Sequence, residues 1–333
     1  MNHLKEAKYY KAIPPDRVKC LLCPHNCVIQ HDKTGICGIR KNLNGKLFTA
    51  IYGEATSVSM DPIEKKPLYH FYPARDILSI GTKGCNFKCP YCQNWHISQD
   101  TDARSIYYEP DDIINTAIKK NSIGVAYTYS EPFIWFEYVL DCSRLAWKNG
   151  LKNVYVTNGF IEKEPLNELL EFTDAMNIDL KAFKETTYKK VLKGELSKVM
   201  DTIQTANNKC HVELTTLIVT GMNDDLAELS EMAEWISSVN KNIPWHISRY
   251  YPNYKYEKPA TSIDFMTRVH DMAVKKLNYA FCGNIPGSYG RSDTICPSCK
   301  TTVIARSGYS VSIKALSNGK CATCGFDLKI TSD

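Results

Sequence analysis

The sequence predicts an α/β protein whose core is a partial (β/α)6-type barrel spanning about residues 70–290. A cysteine-rich N-terminal segment (1–69) precedes it and a small C-terminal module (291–333) follows. Three observations carry this. Short β-rich runs alternate with longer runs of helical periodicity through the middle of the chain, which implies right-handed crossovers and a parallel sheet. Eleven of the fourteen cysteines fall into three tight groups, leaving Cys142, Cys210 and Cys282 apart. The chemically distinctive residues Cys85, Glu131, Asn158, Asp179 and Arg249 all fall at C-terminal strand ends, the functional rim of such a barrel.

In chain order, Ile77–Gly81 reads as a strand, with a cysteine loop directly after it. Ile123–Thr128 is a second strand. Glu131-Pro132 then opens a helix over Phe133–Lys148, with proline at a first helical position and Asn149-Gly150 as the stop. Asn153–Val156, Ala175–Leu180 and Val212–Val219 are further strands. Asn223 is read as the cap of the next helix, with Asp224 and Asp225 in its first turn and Leu226, Leu229, Ala233, Ile236 and Val239 on one face. Trp245–Tyr250 is a strand, Thr261–Leu277 a helix and Tyr279–Cys282 a last strand. Gly283-Asn284-Ile285-Pro286-Gly287 is read as a loop that closes the barrel mouth.

The bulk properties set bounds. With 333 residues, 44% hydrophobic and 23% charged, the chain supports a substantial core and is not of disordered type. A net charge of +5 from scattered Lys and Arg does not argue for nucleic acid. Met1–Tyr10 carries no apolar signal region, and no run of about 18 apolar residues occurs, so no membrane partner and a cytoplasmic location are expected. Clustered cysteines at C-x2-C spacing read as metal ligands in a reducing compartment rather than as a disulfide framework.

Cys85, Cys89 and Cys92 form C-x3-C-x2-C within Gly84–Asn94, with Tyr91 just before the third cysteine. Three thiolates on one loop hold three corners of an iron–sulfur cube and leave the fourth iron open, whereas zinc and ferredoxin sites usually close with a fourth residue. A zinc knuckle closed by His96 is the competing reading. Spacing and flanks resemble the radical S-adenosylmethionine (SAM) superfamily, in the branch of the pyruvate formate-lyase-activating enzymes. The resemblance implies a 4Fe–4S cluster whose open iron chelates SAM, and reductive cleavage of SAM to a 5′-deoxyadenosyl radical. It also implies a low-potential electron donor such as flavodoxin or ferredoxin.

The same resemblance gives roles to other residues. Tyr129-Ser130-Glu131-Pro132 stands where the family has a Gly-Gly-Glu-Pro-like segment, which makes Glu131 the partner of the SAM amine; the plainer alternative is an acid at a helix N-terminus. Thr157 and Asn158, in a T-N-G segment, are assigned to the SAM carboxylate or ribose, with turn chemistry as the alternative. Asp179-Leu180-Lys181 matches the family's D-L-K, and alternation puts Asp179 and Lys181 on one face, facing the ribose and carboxylate or simply each other. Tyr91 joins this cofactor-binding set. From position alone, His246 is assigned to SAM and Arg249, nearer the rim, to substrate; three residues apart in a strand they face opposite ways, so a structural role for one of them is the alternative. Cys282 is a candidate hydrogen donor or extra ligand, with an inert buried thiol as the alternative.

Cys296, Cys299, Cys321 and Cys324 form C-x2-C-x21-C-x2-C, a zinc-ribbon-like module, with iron as the runner-up. Cys20, Cys23, Cys27 and Cys37, with Gly35-Ile36-Cys37-Gly38 around the last, resemble the N-terminal segment of the AmmeMemoRadiSam-system radical SAM enzymes. Zinc and an auxiliary 4Fe–4S cluster are both compatible with that spacing. The substrate is open: a small molecule, a peptide or protein, or RNA. The alternatives are a glycyl radical enzyme activating enzyme and a non-catalytic zinc or iron–sulfur protein.

Overall fold

The computed structural model describes residues 4–285 and 291–332. Its centre is an eight-stranded sheet in which the strands lie side by side in chain order. They are β1 (Ser57–Pro62), β2 (Asp76–Gly81), β3 (Gly124–Tyr127), β4 (Lys152–Thr157), β5 (Ala175–Asp179), β6 (His211–Ile218), β7 (Trp245–Arg249) and β8 (Ala280–Gly283). From β2 to β8 every neighbouring pair is parallel. The seven strands expected from the sequence are all present within a residue or two at each end. β1 was not expected; it pairs antiparallel with β2 along its whole length, so the core sheet begins upstream of residue 70.

The crossovers are made by α1 (Pro110–Lys119), α2 (Phe136–Lys148), α3 (Lys163–Leu170), α4 (Leu196–Asn207), α5 (Leu226–Asn240) and α6 (Ile263–Ala273). Outward strand residues such as Tyr155, Met176, Leu214 and Trp245 are buried beneath them. Two helix starts differ from expectation. Pro132–Trp135 is a 3-10 turn, and α2 proper starts at Phe136. α5 is capped by Asp225, whose carboxylate accepts from Ala227 N, and not by Asn223. Asn223 is buried, and its side chain serves the loop before the helix: Nδ2 donates to Lys181 O and Leu217 O, while Oδ1 accepts from Val219 N.

β1 and β8 do not pair, so the barrel is open. The segment between β1 and β2 fills the interior instead. Ile63, Leu68 and Phe71 pack on Ile77, Ala126, Val154 and Ala175 of β2 to β5. Tyr69 lies edge-on to His246 and tilted against Phe281, of β7 and β8. Glu213 of β6 pins this plug. Its carboxylate accepts from Tyr69 N (2.9 Å) and His70 N (2.7 Å), and lies 2.9 Å from His211 Nε2 and 2.6 Å from His246 Nε2. Burial opposes ionisation of Glu213, but the hydrogen bonds from the two histidines outweigh it and hold the carboxyl well below its ordinary range.

The C-terminal module docks on the same segment. Thr331 N donates to His70 O, Tyr72 N donates to Thr331 O, and the Arg306 guanidinium reaches Tyr69 O at 2.7 Å. It contains a three-stranded sheet and a two-stranded ladder, over a small core of Val303, Ile304, Leu328 and Ile330. At the other end of the chain, two three-stranded sheets built from residues 5–49 hold the N-terminal segment together. They are fastened to α2 by the buried Arg40–Glu137 ion pair (3.0 Å) and by Lys5–Asp141.

His70 is fully buried, and burial pushes its imidazole down from 6.5 to about 3. The native state keeps it neutral while the unfolded chain takes up a proton, so its contribution to stability is complete above about pH 6.5 and is lost as the pH falls toward about 3. Depression of the Glu213 carboxyl acts with the same sign at lower pH. Melting temperature measured against pH is expected to drop through this window, and less steeply in His70→Asn.

Candidate active site

At the C-terminal ends of the strands lies a cavity of about 550 Å³. Cys85, Cys89, Tyr91 and Cys92 line it from the loop after β2. Glu131 enters from the β3 end, Thr157 and Asn158 from the β4 end, and Asp179 and Lys181 from the β5 end. Nine residues singled out in the sequence therefore share one space, and parallel topology is what brings them there.

The cysteine loop is tied down by backbone and amide contacts. Phe87 N donates to Cys85 Sγ at 3.3 Å, and Cys92 Sγ lies 3.1 Å from Ser98 Oγ. Asn158 Nδ2 donates to Asn86 Oδ1 at 2.8 Å and points at Cys85 Sγ at 3.7 Å, while Asn86 Nδ2 donates to Phe160 O. The T-N-G turn thus braces the cysteine loop as well as lining the cavity. Gly159 has φ +71°, and a Cβ there would meet Ile178 Cγ2 at 2.9 Å, so this turn demands glycine. On the opposite side, Lys255 N donates to Pro90 O and Tyr254 stacks on Trp95 at 5.3 Å, joining the loop after β7 to the cysteine loop.

The thiols suit a group that displaces protons. Burial pushes Cys89 up to about 11 and Cys85 well above the ordinary thiol value, so both are neutral until a metal takes the sulfur. The sulfur atoms of the triad do not meet as a single ion requires. Among the described residues, Cys296, Cys299, Cys321 and Cys324 are the one group of three or more Cys, His, Asp or Glu whose ligand atoms all lie within 4.8 Å. The triad is not drawn together as a single tetrahedral ion draws its thiolates, to about 3.8 Å, and three ligands on one loop suit an iron–sulfur cube with one corner open.

Glu131 is buried, and burial raises its carboxyl to about 7 against the pull of three donors. Oε1 accepts from Thr157 Oγ1 (2.7 Å) and Phe133 N (3.0 Å), and Oε2 from Asn158 N (2.8 Å). It caps the turn into α2 and clamps the β3 and β4 ends together while facing the cavity. Lys181 Nζ sits 2.7 Å from Asp179 Oδ2, the same-face pair that alternation implies. Burial works to discharge Lys181, but Asp179 beside it holds it charged, well above its usual value.

Three candidates lie elsewhere. His246 is below the cavity, in contact with Glu213, Tyr69 and Phe281 inside the barrel. Arg249 turns away from the cavity: its Nε donates to Thr261 O and Nη1 to Tyr251 Oη. Cys282 is buried against Met266 O under α6. Of the loop read as closing the mouth, Pro286 and Gly287 lie outside the described residues. The cavity also contains residues that sequence reasoning missed, above all Lys65, Lys66 and Tyr129. Lys66 is buried, pairs with Asp61 at 2.7 Å and lies over the Tyr129 ring, and burial lowers its amine to about 8. No motif marks the two lysines, which reach the cavity because the plug threads the open barrel, whereas Tyr129 enters with the Tyr129–Pro132 segment after β3.

Comparison with known proteins bears on the cysteine loop directly. The model of the radical SAM superfamily matches residues 79–236. The chain belongs to the radical SAM superfamily. An uncharacterized protein of Methanocaldococcus jannaschii, MJ0808, is 39% identical across 98% of this chain and 99% of its own length. MJ1632 of the same organism, provisionally named a glycyl-radical enzyme activating enzyme, is 26% identical over 62% of this chain and 80% of its own. The pyruvate formate-lyase 1-activating enzyme of Escherichia coli K12 is 26% identical over 49% of this chain and 72% of its own. Among solved structures, a radical SAM methyltransferase from Sphaerobacter thermophilus superposes with TM-score 0.50 at 11% identity, covering 85% of this chain and 77% of that one, which attests the shared fold. This radical SAM protein is an enzyme whose family implies a 4Fe–4S cluster and SAM. No helix among the described residues is long and apolar enough to cross a membrane.

Removing the Glu131 carboxylate strands three buried donors. Glu131→Ala is expected to lower the unfolding free energy by about 3 kcal/mol, read from urea denaturation.

Proposed function

We propose that this radical SAM enzyme reductively cleaves SAM at a cluster held by Cys85, Cys89 and Cys92, and uses the resulting 5′-deoxyadenosyl radical to take a hydrogen atom from a substrate bound in the same cavity. The observation that carries the reading is the convergence of the three thiols with Glu131, Asp179 and Lys181 in one space of about 550 Å³. When bound, the cluster supplies the open iron and the electron. The remaining tasks fall to the chain. Lys181 offers a fixed ammonium for the SAM carboxylate, Asp179 an acceptor for the ribose hydroxyls, and Glu131 an acceptor near the amine. Tyr91, nearly sheathed, lies on the cluster side of the pocket. Contact of the loop after β7 with Pro90 and Trp95 supports exclusion of water from the reacting centre.

A glycyl radical enzyme activating role is the second reading, favoured by the names of MJ1632 and the E. coli relative. The substrate would then be a glycine-bearing loop of a partner protein. Electrons would come from a low-potential carrier, and a reducing cytoplasm suits both. We further propose that the C-terminal quartet holds zinc. Its Cys296–Cys324 and Cys299–Cys321 sulfur pairs stand 3.6 Å apart, close to the edge of a zinc tetrahedron.

Anaerobic reconstitution followed by reductant and SAM tests the reading, with release of 5′-deoxyadenosine as the signal. Cys89→Ala is expected to abolish release. Cys321→Ala is expected to lose one equivalent of metal and to melt earlier, yet to cleave SAM at the parental rate per folded molecule. Equal loss in both would overturn this division of roles. Lys181→Ala is expected to weaken SAM binding about tenfold, or ~1.4 kcal/mol, by equilibrium dialysis on the reconstituted protein.

A further inference from the structure

The N-terminal quartet is a group of four thiols to which neither the SAM reading nor the proposed C-terminal zinc gives a role. Cys20, Cys23, Cys27 and Cys37 surround one small cavity, whose other walls include Leu22, Ile29 and Ile134. The sulfurs are arranged unlike those of the C-terminal quartet. There, all four lie within 4.8 Å of one another; here, no three ligand atoms meet that condition. A tetrahedral zinc ion draws four thiolates to about 3.8 Å and leaves no free volume between them. The N-terminal cavity instead keeps about 10 Å³ of open space, room for about one water, beside its four thiols.

Arg40 is 1% exposed and lines the cavity. Its Nη atoms are taken by Glu137 and Lys8 O, but Nε has no hydrogen-bond partner. A buried guanidinium N–H left over at the wall of a thiol-lined cavity calls for an acceptor there, and a sulfide or thiolate supplies one.

We propose that Cys20, Cys23, Cys27 and Cys37 hold a second iron–sulfur cluster, of 4Fe–4S type and fully ligated, packed back to back with the loop that carries Cys85. The two sites share a wall. Gly84 has φ +87°, and a Cβ on it would meet Cys37 O at 2.9 Å and Ile39 Cγ2 at 2.9 Å. His25 Nε2 lies 2.8 Å from Asn86 O. Four protein thiolates leave no open iron, so this cluster does not take SAM.

The test uses the full chain with Cys85→Ala, Cys89→Ala and Cys92→Ala combined, reconstituted without oxygen and read by iron, sulfide and zinc analysis with Mössbauer and EPR spectroscopy. The expected result is about four iron and four sulfide per chain, against about eight of each in the parent, with an EPR signal from the reduced variant that SAM does not move. An iron-free variant, a second equivalent of zinc, or a signal that shifts with SAM would each overturn the proposal. If the triple variant fails to fold, Mössbauer spectra of the parent with and without SAM decide: about four cluster irons that SAM does not perturb support the second cluster, whatever the other site holds, and their absence refutes it. None of these readouts depends on SAM cleavage, so failure of the SAM reading and failure of this one are separable.

Discussion

A single buried carboxylate holds the architecture in shape. Glu213 receives two backbone N–H groups from the plug and faces two imidazoles, one on its own strand and one on the next. The edge strands β1 and β8 do not pair with each other, so the curvature of the sheet must be kept by what it wraps. Apolar contact of Ile63, Leu68 and Phe71 supplies most of that filling, and Glu213 fixes its register. An acid at this depth is tolerable only because its four donors replace water.

Filling the barrel from below also shapes what lies above. The plug leads directly from β1, and its first residues, Lys65, Lys66 and Pro67, form part of the cavity wall facing the cysteine loop. Asp61, on β1, neutralises Lys66 and is also bonded by the Tyr129 hydroxyl. The segment that substitutes for barrel closure therefore puts two lysines into the reaction space. The C-terminal module clasps the same segment through Thr331 and Arg306, so a metal folding that module reinforces the plug from outside.

The cluster loop is held in a comparable way from two sides. Asn158 and Asn86 link it to the β4 turn, and Gly84 lets it lie flat against the backbone at Cys37. Glu131 is at once the cap of a helix turn, the clamp between two strand ends and a wall of the cavity. Such sharing means that the cofactor pocket and the fold around it are stabilised by the same hydrogen bonds.

Much of this was legible in the chain. The alternation of β and helical runs fixed the seven parallel strands, because the periods of two and 3.6 residues are set by local geometry. The C-x3-C-x2-C spacing marked the loop that lines the cavity, because three thiols on a short loop carry their chemistry with them. Glu131, Asp179 and Lys181 were legible because strand-end position in a parallel sheet implies a common rim. His246 and Arg249 were not, since nothing local says how far down a strand the cavity reaches or where a guanidinium finds its nearest carbonyl. Asn223 looked like a helix cap because only the fold supplied the three backbone partners that claim its amide instead. The plug, Glu213 and Lys66 depend on contacts between residues more than 60 positions apart, such as Lys66 with Tyr129 and Tyr69 with Glu213. Local sequence thus determined the elements and the metal-binding loops, while only tertiary packing decided which polar groups face the cavity and how far apart each set of sulfurs stands, because burial and separation arise when distant segments meet.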